Sequence, residues 1–184
     1  MKKSYGVWAS WLNIASSFAA FGIGMIIIGK GGSGADAAVV GAPLLTGSEM
    51  LKLVIGLCLI TQAAALAKLS GGRGARAVGF IAGLAMFVAG ALGLAAVWLP
   101  AFHRAGSAVN MIALCGVAAT GLWAALSGLA GFRDTHLPTW LCILGVLFAI
   151  PSLAAPFMPP MALGAFIIGI IWNFGVGICL SRAG

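Results

Sequence analysis

The side chains best suited to catalysis are few in this chain and lie apart from its apolar segments. Three acids, Asp36, Glu49 and Asp134, and two histidines, His103 and His136, all fall between six long apolar stretches. A carrier driven by protons or sodium ions would normally hold an ionisable residue inside such a stretch. The two histidines lie on opposite sides of the predicted hydrocarbon core, so they cannot share a metal or a haem within one subunit. We therefore predict no catalytic residues, no metal site and no cofactor, and expect that the protein is not an enzyme.

Other chemistry-bearing motifs are also missing from the sequence. Cys58, Cys115, Cys142 and Cys179 lie in four different apolar stretches, without the Cys-x-x-Cys spacing of metal or redox sites. We interpret them as small buried apolar side chains. The glycine-rich stretches lack the lysine and Ser/Thr of a phosphate-binding loop, and Ser33 has no histidine positioned to activate it.

Three amide side chains inside the apolar stretches are the strongest candidates for a site. Asn13, Gln62 and Asn173 belong to the first, second and sixth stretches. At about 1.5 Å rise per residue they share a layer within about one helical turn. Such a layer either lines a site for a neutral or anionic solute or ties helices together by hydrogen bonds, and we favour the second. Three more residues are predicted to border it: Ser17, Thr61 and Trp172.

Composition determines the elements that must position these residues. The chain has 184 residues, of which 62% are hydrophobic and 7% charged, and its mean hydropathy is +1.14. A helix needs about 20 apolar residues to cross the bilayer core, and every backbone amide in lipid must be bonded within its own segment. We predict an all-α polytopic membrane protein, a single domain over 1–184 in which six helices form a compact bundle. The predicted spans are 5–28, 50–69, 77–99, 108–131, 138–155 and 161–180.

The net charge of +7 is distributed as an orientation signal. Positive residues accumulate in cytoplasmic loops, which predicts that both termini face the cytoplasm of a bacterial inner membrane. There is no basic face with interleaved aromatic residues, so we expect no nucleic-acid partner. We expect contacts with membrane lipids instead. Seven basic residues fall on the predicted cytoplasmic side: Lys2, Lys3, Lys68, Arg73, Arg76, Arg133 and Arg182; three fall on the other: Lys30, Lys52 and Arg104.

Local patterns predict helix ends and packing faces. Thr46-Gly47-Ser48-Glu49 after the long connection 30–48 has the pattern of a capping box, and Asp134-Thr135 before Pro138 reads as another helix start. Pro151 predicts a kink. Small residues permit the close backbone approach on which helix association in lipid depends. The face predicted for packing or association carries Gly79, Gly83 and Gly90.

Two resemblances accompany these patterns. The segment Leu137-Pro138-Thr139-Trp140 and the stretch 171–180, about a quarter of the chain, resemble the closing hairpin of small uncharacterised bacterial six-span inner-membrane proteins. Ala15-x-x-x-Ala19 and the chain length resemble the substrate-binding subunits of energy-coupling-factor vitamin importers, in which a small-residue face docks on a partner. The outer loops here hold fewer polar and aromatic groups than vitamin binding would need.

These observations lead to two functional expectations. The first is an accessory or structural helical bundle that self-associates or docks on a membrane partner through glycine faces. The alternative is a channel, carrier or binding subunit for a small neutral or anionic solute, centred on Asn13, Gln62 and Asn173. A solute protein should have a cavity that reaches the amides, whereas in an accessory protein they should bond to one another.

Overall fold

A computed structural model describes residues 3–29, 41–70, 72–99, 101–102, 106–134, 137–158 and 160–182. Helices account for nearly all of these residues, which confirms the all-α fold. The helices are α1 (Lys3–Gly29), α2 (Ala42–Ser70), α3 (Arg73–Trp98), α4 (Gly106–Asp134), α5 (Thr139–Ala154) and α6 (Met161–Arg182).

Five of the described helices are long and apolar enough to cross a membrane, which indicates a multi-pass membrane protein. The exception is α5, which has 16 residues. At about 1.5 Å per residue it extends about 24 Å, less than the roughly 30 Å of hydrocarbon. Pro151 lies in its last turn, and Pro156 cannot donate the next backbone hydrogen bond, so the helix stops early.

The helices form a closed ring in chain order. Each packs against the next, and α6 returns to pack against α1. The α1–α6 contact is antiparallel, since Trp11 meets Phe174 near one end while Phe18 meets Phe166 farther along α1. In the buried core the rings of Trp123 (α4) and Trp172 (α6) meet edge to face at 6.3 Å.

The glycine face of α3 is packed inside the chain. A Cβ at Gly83 would lie 2.6 Å from the carbonyl oxygen of Gly56 in α2, and one at Gly90 would lie 2.7 Å from that of Glu49. Gly79 faces Ala63 of α2 and the ring of Trp123. Only glycine allows the two backbones to come so close, and this face of α3 is occupied by α2 within the same molecule.

Two predicted helix starts were wrong. Helix α2 begins at Ala42, not near Met50, so Thr46–Glu49 lie in its second turn and form no capping box. Gly41 precedes it with φ +91°, and Pro43 occupies its first turn, where a missing amide hydrogen is harmless.

The second wrong start is at Asp134, which is the last residue of α4. The cap position of α5 is Pro138, with no side-chain cap. The other predicted spans agree with the helices to within about four residues.

Candidate functional site

The structure brings the three amides into direct contact. The Nδ2 group of Asn13 donates to Oε1 of Gln62 at 3.2 Å and to Oδ1 of Asn173 at 3.1 Å. The Nε2 group of Gln62 donates to the same Oδ1 of Asn173 at 2.8 Å. All three residues are buried, Gln62 completely. The result is a closed triangle of hydrogen bonds that joins α1, α2 and α6.

Two serines extend this amide triangle. Ser10, one turn before Asn13, accepts a hydrogen bond from Nε2 of Gln62 at 3.0 Å and donates to the carbonyl oxygen of Gly6. Ser17 donates to Oδ1 of Asn13 at 3.4 Å. Ser10 was not among the predicted site residues, although its spacing of three from Asn13 places both on one face of α1.

Thr61 and Trp172, which were predicted to border the layer, make contacts outside the triangle. The Thr61 hydroxyl donates to the carbonyl oxygen of Leu57 in its own helix at 2.9 Å. Trp172 packs against Trp123, and its buried Nε1 has no hydrogen-bond partner in the described part of the chain. Neither side chain takes part in the amide triangle.

A cavity of about 410 Å³ begins at the amide triangle and runs along the middle of the helix ring. Asn13, Ser17, Thr120 and Asn173 form its polar end. The volume lies within the roughly 300–1,000 Å³ of small-molecule sites in proteins. Its wall is apolar and includes Phe21, Leu59, Met86, Val117, Phe148 and Phe166.

The cavity extends from the triangle in one direction only. Along α6 it reaches from Asn173 to Ala162, a distance of about 16 Å at 1.5 Å per residue. On the other side of the triangle, Gly6 packs directly against Ala65 of α2 and Leu180 of α6. Since those three helices are in contact there, the polar end is the closed end of the cavity.

Hydrogen-bonding capacity remains at the polar end. Asn173 Nδ2 carries two hydrogens, one of which is used by the carbonyl oxygen of Gly169 at 2.8 Å. Oδ1 of Asn13 and the hydroxyl oxygens of Ser17 and Thr120 each have lone pairs to spare. Among the residues that the structure describes, none of those that line the cavity has an ionisable side chain. The arrangement therefore suits a neutral, mostly apolar molecule with one polar group.

Comparison with protein-family models, with curated proteins and with solved structures gives no match. The assignment of function therefore depends on the geometry of the site itself.

A second, smaller cavity of about 100 Å³ surrounds an ion pair in α2. Both carboxylate oxygens of Glu49 accept hydrogen bonds from Nζ of Lys52, at 2.7 and 2.9 Å. Glu49 is buried against Gly93 of α3. It lies about 10 Å from the start of α2, so the expectation that every acid falls between helices is wrong for this residue.

The side chains of the remaining acids and histidines are not among those that the structure describes. Asp36, His103 and His136 lie outside the described residues, and Asp134 is described only in its backbone. Across the described ranges no three His, Cys, Asp or Glu residues are grouped so that they could hold a metal ion.

Proposed function

We propose that this protein binds a small, neutral, largely apolar molecule in its central cavity. The observation that carries this proposal is an apolar cavity of about 410 Å³ that ends on Asn13 and Asn173. This proposal follows the alternative expected from the sequence, and it narrows the ligand class from neutral or anionic solutes to neutral ones. An anionic solute would need a compensating cation, and burying a charge in an apolar wall without one is strongly unfavourable.

The closed end favours a binding protein over a channel. A channel would need a polar path past the triangle, where Gln62 is completely buried and Gly6 packs on Ala65 and Leu180. Tight packing of α1, α2 and α6 beyond the triangle supports a binding site with one accessible end. The protein would then hold its ligand within the membrane, alone or as the binding subunit of a larger assembly.

Photoaffinity labelling tests this function. The purified protein is placed in lipid nanodiscs with a diazirine derivative of dodecanol, which is neutral and carries one hydroxyl group. We expect labelled peptides to include cavity residues such as Met86 and Ile170, and unmodified dodecanol to compete. Val117→Phe fills the cavity and should reduce labelling roughly tenfold, equivalent to about 1.4 kcal/mol of binding free energy.

The matched control is Leu122→Phe, which adds an aromatic ring to the same helix on a half-exposed side chain outside the cavity. It should label like the wild type. Labelling confined to lipid-facing residues, or unchanged by Val117→Phe, would show that the cavity does not bind the probe.

A structural or accessory role is the second candidate, and the mutual hydrogen bonding of the three amides supports it. Asn13, Gln62 and Asn173 satisfy one another as interhelical contacts should. Since the glycine face of α3 is packed on α2, self-association or docking on a membrane partner would use another surface. If the role is purely structural, Asn173→Ala should lower stability and leave labelling by the dodecanol probe unchanged. If the amides form a ligand site, Asn173→Ala should lower both stability and labelling.

We further propose that the termini face the cytoplasm of a bacterial inner membrane. Lys68, Arg73, Arg133 and Arg182 lie at the helix ends on the side of the N-terminus, which is the cytoplasmic side by the distribution of positive charge. In a cysteine-free background, Ser181→Cys should react with an impermeant maleimide only after spheroplasts are permeabilised. Met158→Cys, in the opposite connection, should react without permeabilisation; the reverse pattern would invert the topology.

A further inference from the structure

The contacts between α1 and α6 differ in kind between the closed end and the rest of the cavity. Near the closed end, a Cβ at Gly177 of α6 would lie 3.3 Å from Cβ of Ser10, and Trp11 meets Phe174 edge to face at 5.4 Å. Asn13 and Asn173 bond directly at the same level. Backbone proximity, a ring contact and a hydrogen bond therefore hold the two helices together there.

Along the cavity, phenylalanine rings of the two helices contact one another. Phe21 stacks on Phe166 at 4.6 Å with the planes 14° apart, and Phe18 meets the edge of Phe166 at 5.8 Å. In the same part of α1, a Cβ at Gly22 or Gly24 would meet nothing within 4 Å. Neither glycine packs α1 against α6, so rotation of the phenylalanine side chains could open the wall.

The side of the cavity between α1 and α6 is more exposed than the rest of its wall. Phe21 and Leu163 both line the cavity, yet 39% and 50% of their surfaces are exposed. Other wall residues, such as Leu59 and Phe148, are at most 4% exposed. Helix α1 is also the least buried of the long helices. Of its most apolar 18-residue segment, 11% is buried inside the protein, against 33–44% in the other long helices.

We propose that Phe18, Phe21 and Phe166 form a lateral gate through which the ligand enters the cavity directly from the bilayer. This inference rests on the proposed binding function. It identifies the ligand class as a neutral lipid with one hydrogen-bonding head group, such as a long-chain alcohol or ketone. The head reaches the free hydrogen of Asn173 Nδ2 at the polar end, and the apolar chain occupies the space between the two helices. Because both the cavity wall and the exposed α1–α6 surface are apolar, such a molecule would never need to cross water.

Reversible cross-linking tests the gate. In a background with the four native cysteines replaced by alanine, Phe21→Cys/Phe166→Cys is joined with a short bis-methanethiosulfonate reagent. Proteoliposomes are mixed with vesicles that contain the diazirine derivative of dodecanol, and cavity labelling is followed with time. We expect cross-linking to slow labelling about tenfold or more, as when a closed lid blocks access, and dithiothreitol to restore it. Protein cross-linked after loading should retain the probe.

The control pair, Trp11→Cys/Phe174→Cys, links the same two helices at the closed end, outside the cavity. Its cross-link should not change the labelling rate. If neither cross-link slows labelling while equilibrium labelling persists, lateral entry is wrong and the binding function stands. If both cross-links slow labelling equally, the gate is not formed by Phe18, Phe21 and Phe166. If the uncross-linked proteins do not label in the cavity at all, the binding function itself fails.

Discussion

Gln62→Leu is the substitution that tests the amide triangle most directly. Gln62 makes three interhelical hydrogen bonds: to Ser10 at 3.0 Å, to Asn173 at 2.8 Å and from Asn13 at 3.2 Å. It is completely buried. Leucine has a similar volume and a similar helix propensity, so the substitution removes hydrogen bonds while retaining most of the packing.

The expected loss of stability follows from the hydrogen bonds that the neighbouring side chains lose. Interhelical side-chain hydrogen bonds in membrane proteins contribute about 0.6 kcal/mol each on average, and up to about 1.7 kcal/mol. Asn173 keeps its bond from Asn13, and Ser10 keeps its bond to Gly6. One N–H of Asn13 is left without a partner in an apolar region, which costs about 1 kcal/mol or more. We expect the free energy of unfolding to fall by about 2–3 kcal/mol.

Equilibrium unfolding by dodecyl sulfate in mixed micelles measures this change. The matched control is Thr61→Val, the adjacent residue on the same helix, whose hydroxyl donates to the carbonyl oxygen of Leu57 in that helix. Its effect should stay below about 0.5 kcal/mol. If Gln62→Leu is no more destabilising than Thr61→Val, the triangle does not hold α1, α2 and α6 together.

Two further predictions use the same unfolding assay. Gly83→Ala places a Cβ against the carbonyl oxygen of Gly56, so it should destabilise by about 1–3 kcal/mol, whereas Gly74→Ala, with open space around it, should be neutral or slightly stabilising. Equal effects would mean that α2 and α3 do not need close approach. Lys52→Met should destabilise by about 2–3 kcal/mol, below the range for fully buried pairs, because it leaves the carboxylate of Glu49 without its cation. Adding Glu49→Gln should recover part of that loss, and strictly additive effects would show that the pair is not coupled.

The helices were predictable because lipid leaves little choice of secondary structure. Apolar stretches of about 20 residues without acids must satisfy their own backbone groups, and hydropathy marks their centres. The ends were less predictable. Residues 42–48 belong to α2, although Gly47 and Thr46 are poor helix formers and the capping-box pattern Thr46–Glu49 predicted a helix start. Packing of Glu49 against Gly93, with Lys52 as its partner, stabilises this turn, and no local pattern contains that tertiary contact.

The amide layer was predictable from depth alone. Asn13, Gln62 and Asn173 lie between about 12 and 15 Å from the helix ends on the side of the N-terminus, and antiparallel neighbours bring equal depths together. Depth does not determine rotation about the helix axis, however. Thr61 is adjacent to Gln62, but about 100° around the helix at 3.6 residues per turn, so its hydroxyl faces away from the triangle.

The cavity was beyond the reach of the sequence because it depends on how six helices close into a ring. Its wall residues, such as Phe148 and Val117, are the ordinary apolar residues of any membrane span, and nothing in their spacing separates a lining residue from a packed one. The way in which α6 packs against α1 determines where a cavity is left. At one end the amide triangle and Gly6 join the two helices, and farther along the cavity Phe18 and Phe21 contact Phe166. The two functional expectations are therefore not exclusive in this geometry: the hydrogen bonds that fasten the bundle at one end also form the polar end of the space left open beside them.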